Sequence, residues 1–217
     1  MAMSIPYEAT GRTRQKARTR AAMLAATREL LAAGVTPTVE RAAGHAGVSR
    51  TTAYRYFPNQ RSLLVATYPM VDADSLLGDD APGDPQERLE IVTRALGAQV
   101  LDNEAEFRAM LRLSLDPADR QELPLRSGRA IGWIEDALSP LRDTLSKREL
   151  RRLVLSIRAT LGIEAFVWLT DVAGLPREEA VELMRDSART LLGAALAAVQ
   201  SSSRSASSTI RPSGPRT

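Results

Sequence analysis

Residues 45–63 read HAGVSRTTAYRYFPNQRSL, and the helix breaks inside this stretch decide the fold. Ser49 is a capping residue, so a short helix starts there. It ends near Phe57, because Pro58 disfavours α geometry in the residue before it. Asn59 can cap a further helix that carries Leu63, Leu64 and Ala66. On the other side, Gly47 can take the positive φ that a tight turn demands. Ahead of it, Thr36-Pro37-Thr38 offers a helix start, with Pro at a first-turn position or Thr38 as cap. Val39, Ala42, Ala43 and Ala46 then follow at helical spacing. Further upstream, Met23, Ala26, Leu30 and Leu31 mark an amphipathic helix from Lys16 to Ala33 that stops near Gly34. Two short helices joined by a tight turn and preceded by a longer one form a helix-turn-helix arrangement. Val48 and the small residues Ala42, Ala43 and Ala46 let the short helices approach closely.

In such a unit the first residues of the second helix meet base edges in the major groove. Here they are Ser49, Arg50, Thr51 and Thr52. Arg50 suits bidentate pairing with guanine, and a Thr51 or Thr52 methyl suits the methyl of thymine. Tyr54 and Tyr56 carry hydroxyls fit for phosphates, the alternative being that they are packing residues. Phe57 reads as core. His45 reads as a solvent-facing residue late in the first short helix, and Arg28 and Arg41 as surface charges.

Charge distribution points the same way. Residues 1–67 hold ten Lys/Arg against three Asp/Glu, whereas residues 68–199 hold 16 against 23. A basic head on an acidic body suggests that the head meets a polyanion, with double-stranded DNA the leading candidate. Composition removes several other classes. With no cysteine there is no disulfide framework, thiol nucleophile or thiolate metal site. One histidine, placed in the head, argues against a Ser-His-Asp triad or a His-rich metal centre. An enzyme is therefore not expected, nor a catalytic residue, metal or cofactor. No signal peptide and no uncharged apolar stretch of about 18 residues is visible, so a soluble, cytoplasmic protein without membrane association is expected.

The remainder reads as helix throughout. Residues 1–15 carry Pro6 and Gly11 without an apolar period and read as a flexible arm with Arg12 and Arg14 near its end. After the loop GDDAPGDP at 78–85, helical patterns cover 85–102, 104–115, 126–143, 146–173 and 176–199. Breaks are expected at Asp116-Pro117, from Leu123-Pro124 to Gly128, near Leu145-Ser146 and at Gly174-Leu175-Pro176. The tail, 200–217, is rich in Ser and Pro and reads as disordered. The expectation is an all-α chain of about nine helices. Its parts are an arm at 1–15, a three-helix DNA-binding head at 16–67, a helical body at 68–199 and a tail at 200–217.

The head resembles the TetR family of bacterial transcriptional repressors. Thr38-Val39, Ala43, Ala46-Gly47-Val48-Ser49, Thr52, Tyr54, Tyr56-Phe57-Pro58 and Leu63 follow the family pattern T-V-x-x-I-A-x-x-A-G-V-S-x-x-T-L-Y-x-Y-F-x-x-K-x-x-L in order and spacing. Three positions depart from it. Ala42 stands where the family prefers Ile, Ala53 where it prefers Leu, and Gln60 where it prefers a Lys that contacts a phosphate. The resemblance implies DNA contacts from Thr38, Ser49, Arg50, Thr51, Thr52, Tyr54, Tyr56 and Gln60. It also implies a homodimer that binds palindromic operator DNA and a body that forms a pocket for a small-molecule effector.

The body supports an interface on its own terms. Leu150, Leu153, Val154, Ile157, Leu161, Ala165 and Trp168 recur at three- and four-residue steps. Ala180, Leu183, Met184, Ser187, Leu191, Ala194 and Ala195 do the same. Two such helices from each of two subunits could pack as a four-helix bundle; the monomeric alternative turns both stripes inward. For a pocket, Phe107, Met110, Leu111, Trp133, Phe166 and Trp168 stand out, although a Met or aromatic on a helical stripe is more often ordinary core. The sequence reading is thus a ligand-released dimeric repressor. The alternative is an effector-independent DNA-binding activator or architectural protein.

Overall fold

The computed structural model describes residues 7–68, 73–115 and 128–208, and among these the regular structure is helical, with no strand. The chain divides into two compact units, Met1–Val71 with Asn103–Ser127, and Asp72–Asp102 with Gly128–Thr217. Among the described residues no single helix is long and apolar enough to cross a membrane.

The first unit holds α1 (Tyr7–Ala32), α2 (Val39–His45), α3 (Arg50–Tyr56), α4 (Gln60–Thr67) and α6 (Glu104–Ser114). Helix α1 begins at Tyr7, so residues 7–15 are helical where the sequence suggested an arm. A single Gly11 costs about 1 kcal/mol, too little to stop a helix that propagates from a packed segment. Residues 1–6 lie outside the described part. Helix α1 ends as expected at Gly34, whose φ is +70°. The Gly34 N–H bonds to Leu31 O at 2.9 Å and the Val35 N–H to Leu30 O at 2.8 Å, the paired closure of a Schellman turn. Met23, Leu24, Val39, Ala42, Ala43, Ala53, Phe57 and Leu63 form the buried core shared by α1 to α4.

Helix α6 belongs to this first unit, packing on α1 and α4, although the sequence placed 104–115 in the body. Its apolar side, Phe107 and Met110, is buried. The Phe107 ring lies 5.3 Å from that of Tyr68. An amphipathic stripe records that a helix has a covered face, not which neighbour covers it.

The second unit holds α5 (Pro85–Asp102), α7 (Arg129–Ala137), α8 (Lys147–Ala159), α9 (Ile163–Val167) and α10 (Arg177–Ser208). Helix α5 has the limits read from the sequence. It crosses α10 closely at Gly97, where an added Cβ would lie 2.6 Å from Val181 Cγ1. Beside that crossing the Glu90 carboxylate accepts from Arg185, from Arg94 at 3.1 Å and from Arg189 at 3.3 Å. Burial alone would raise the Glu90 pKa, but the hydrogen bonds from Arg185, Arg94 and Arg189 outweigh it and hold the group ionised below its ordinary value.

Two expected helices are interrupted. The 126–143 segment becomes α7 and a 3-10 turn at Ser139–Leu141, because Pro140 cannot donate within a continuing helix. Arg88 closes that end, donating to Ala137 O at 3.1 Å, Asp136 O at 2.9 Å and Pro82 O at 3.2 Å. The 146–173 segment starts with a capping box between Ser146 and Glu149 and breaks at Thr160–Gly162. There Gly162 has φ +96° and the Arg158 guanidinium takes up the Leu161 carbonyl at 2.5 Å. It resumes as α9 and a π-helical turn, Trp168–Val172, closed by the Ala173 N–H on Trp168 O at 3.0 Å. Helix α10 continues to Ser208, so 200–208 are helical rather than part of a disordered tail; Ser and Ala extend a helix that is already nucleated at small cost. The breaks expected at Asp116-Pro117 and from Leu123-Pro124, together with residues 209–217, lie outside the described residues.

Candidate nucleic-acid interface

Local chemistry builds α2 and α3 as a fixed pair. The Thr38 hydroxyl accepts from the Arg41 N–H at 3.2 Å and caps α2. At the other end Gly47, at φ +64°, allows its own N–H to reach Gly44 O at 3.3 Å and the Val48 N–H to reach Ala43 O at 2.9 Å. This is again a Schellman closure, and it redirects the chain within four residues. Ser49 then caps α3, accepting from the Thr52 N–H at 3.3 Å and donating to Thr52 Oγ1 at 2.9 Å. Phe57 leaves the helical region before Pro58, and Asn59 and Ser62 form a reciprocal capping box that starts α4. Ala42 and Ala53, the two positions where the TetR pattern has a larger side chain, are wholly buried and let α2 and α3 meet.

This frame leaves Ser49, Arg50 and Thr51 exposed and Thr52 half-buried along one end of α3. Tyr54 and Tyr56 are half-buried, each with its ring against the core. They therefore pack on the core while staying partly exposed. Arg50 stacks over the Tyr54 ring at 5.7 Å and Arg55 over the Tyr56 ring at 5.9 Å. Phe57 is core, as read, and the Arg20 guanidinium lies 5.9 Å over its ring. His45 is exposed, with Nε2 2.6 Å from Glu29 Oε2.

Two contacts were not visible in the sequence. The Gln60 amide donates to Pro37 O at 2.8 Å, so this side chain fastens α4 to the start of α2. More consequential is Glu40, on α2. Its Oε1 accepts a hydrogen bond from the Tyr54 hydroxyl and another, at 3.1 Å, from Arg50 Nη2. The Tyr54 hydrogen bond, with Arg50 beside it, holds the Glu40 pKa below its ordinary value. The same bond to Glu40 raises that of Tyr54. One signal pointed to Glu40: it is the only acidic residue between Glu29 and Asp72, alone in a basic segment.

The six side chains considered for a pocket divide between the units. Phe107, Met110 and Leu111 belong to the first; Phe107 and Met110 are buried and Leu111 is half-buried. Trp133, Phe166 and Trp168 belong to the second. Phe166 is buried, and Trp133 is buried with its indole N–H donated to Ala73 O at 2.9 Å. Trp168 departs from the expectation: it is 58% exposed. That exposure departs from the pocket reading only, since the same residue also lies on the stripe read as an interface, and the break at Thr160–Gly162 interrupts that stripe ahead of it.

No family model matches the chain, and no curated protein matches it in sequence.

Proposed function

We propose that the chain is a dimeric transcriptional repressor of the TetR type, with α2, the Gly47 turn and α3 acting as a helix-turn-helix reader of a DNA half-site. The observation that carries this reading is the Schellman turn at Gly47 followed directly by the Ser49 cap. Together they fix an α3 whose first turn presents Ser49, Arg50 and Thr51 on the surface. An arginine with two hydroxyl neighbours at the start of a short exposed helix is the donor and acceptor set that base edges require. The excess of Lys/Arg over Asp/Glu in residues 1–67 supplies the electrostatic attraction to a phosphate backbone.

The second unit supports pairing of two copies. Leu155 on α8, Trp168 and Val172 on the π turn and Leu183 on α10 are large apolar side chains left exposed. Helix α10 packs on α8, on α9 and on the π turn. Two-fold pairing would present two copies of α3 to half-sites about 34 Å apart, and a small-molecule effector would release DNA by favouring a spacing that no longer fits. The test is retention of DNA by the purified full chain. A duplex carrying an inverted repeat from upstream of its own gene should be held above random duplex at moderate salt, with affinity falling steeply as salt rises. Equal retention of both duplexes sinks the proposal.

One observation favours the effector-independent alternative. The Trp133 indole N–H is already satisfied by Ala73 O, and Trp168 is exposed, so neither supplies an inward polar anchor. A screen of small organic molecules decides between them: release of the operator by one of them is the outcome for a ligand-responsive repressor.

A further inference from the structure

Arg50, the residue best suited to read a guanine, does not stand alone on α3. Its Nη2 is 3.1 Å from Glu40 Oε1, the same oxygen that accepts the Tyr54 hydroxyl, and its guanidinium lies 5.7 Å over the Tyr54 ring. A carboxylate on one side and an aromatic face on the other thus fix a side chain that is 75% exposed. Tyr54 follows Arg50 by one helical turn, and Glu40 reaches both from the preceding helix. The three residues form a clasp across the α2–α3 turn.

The clasp bears differently on the two kinds of DNA contact. A phosphate is an anion, and an oxyanion drawing Arg50 and the Tyr54 hydroxyl must displace the Glu40 carboxylate or sit beside it, at an electrostatic cost. The Tyr54 proton is committed to Glu40, so the hydroxyl donates nothing to a phosphate while the clasp is closed. A guanine edge makes no such demand. Arg carries five N–H donors, of which the clasp occupies one, and the rest suit the paired acceptors O6 and N7.

We propose that Glu40 is a specificity-setting residue: by holding Arg50 and the Tyr54 hydroxyl it disfavours their use on phosphates and poises Arg50 for a base edge. This rests on the reading of α3 as a DNA-contacting helix and adds a role for an acidic residue that itself donates nothing to DNA. Glu40 is a positioning residue here. Its effect is on the ratio of specific to non-specific affinity rather than on affinity as such.

The experiment measures binding of the full chain to a duplex selected from genomic DNA and to random duplex of equal length, across a salt series. Glu40→Gln keeps the shape and one acceptor but removes the charge. Its expected result is an affinity for random duplex about tenfold higher, with a salt slope steeper by about 0.9 per protomer as Arg50 takes up a phosphate. Affinity for the selected duplex changes less, so discrimination falls. Because deleting any carboxylate near DNA raises affinity, the same change is made in an Arg50→Gln background. There, Glu40→Gln should leave discrimination unchanged. If Glu40→Gln strengthens both duplexes equally, or acts identically with and without Arg50, the clasp has no role in specificity. If the wild-type chain does not discriminate at all, the reading of α3 falls and this inference with it. A side-chain ¹⁵N relaxation measurement on the DNA-free head keeps the clasp itself testable. Arg50 Nε–H should be more ordered than Arg55 in the wild type and equally mobile in Glu40→Gln; equal mobility of the two in the wild type overturns the proposal.

Discussion

The side-chain amide of Gln60 donates to the carbonyl oxygen of Pro37 at 2.8 Å, across 23 positions of sequence. The bond fastens the first turn of α4 to the residue that precedes the Thr38 cap of α2. The position where the TetR pattern has a phosphate-binding lysine is thus used in this chain for internal bracing. Here the position carries an amide and a fixed approach of α4 to α2 in place of a charge.

That exchange is reversible by mutation. Gln60→Lys should tighten binding to any duplex and steepen the salt slope by about 0.9 per protomer. It should also loosen the head by roughly 1 kcal/mol through loss of the bond to Pro37 O. Salt-dependent binding and urea unfolding measure the two effects separately. A tighter complex with an unchanged salt slope would contradict the phosphate role.

Gly44 and Gly47 lie three residues apart, both exposed, and neither has an atom within 4 Å of where a Cβ would stand. Only backbone conformation separates them: Gly47 has φ +64° and Gly44 lies within α2. Gly44→Ala should stabilise the head by about 0.5–1 kcal/mol. Gly47→Ala should destabilise it by roughly 1 kcal/mol, because a side chain resists the left-handed region. Opposite shifts in the unfolding midpoint are the expected outcome.

At the crossing of α5 and α10, Gly97→Ala brings its new methyl to 2.6 Å from Val181 Cγ1. The branched side chain cannot swing aside freely, so the cost should be roughly 1–3 kcal/mol. Val181→Ala alone leaves a small void and is also destabilising. Combined, they should be less harmful than the sum of the two, and a double-mutant cycle by thermal unfolding reads the difference.

The Glu40–Tyr54 hydrogen bond requires an ionised carboxylate and a protonated phenol. Glu40 has its pKa lowered from the usual 4.5, so its contribution is present above that value and is lost as pH falls through the depressed one. Tyr54 has its pKa raised from the usual 10.0, so its contribution is present below that value and is lost as pH rises through the elevated one. NMR titration of the Tyr54 ring should give a midpoint above 10.0 in the wild type, and one moved back toward it in Glu40→Gln.

The features legible in the sequence were those written in adjacent residues. Thr38, Gly47, Ser49, Pro58 and Asn59 each act locally on the backbone, and the structure has the α2–α3 turn, both ends of α3 and the start of α4 where they indicate. Pro85 likewise marked the start of α5. What escaped was set by distant partners. Gln60 meets Pro37, and Glu40 meets Tyr54, through tertiary proximity that no local period encodes. The stripe of α6 does not say that α1 and α4 cover it. The break at Thr160–Gly162 divides the stripe of 146–173, and no local period says that Trp168, also a pocket candidate, stays exposed. Helix ends at Tyr7 and Ser208 were set short because neither polar stretch has an apolar face, although a packed helix can extend through such residues.

Hydroxyl-radical footprinting of the full chain on duplex selected from genomic DNA tests the central claim most directly. The account predicts two short protected segments on one face of the duplex, related by two-fold symmetry and separated by one helical turn, about 34 Å, or a multiple of it. Arg50→Ala should erase both at once. Uniform protection along the duplex, or a footprint that survives loss of Arg50, would contradict the assignment of α3 as the element that reads DNA.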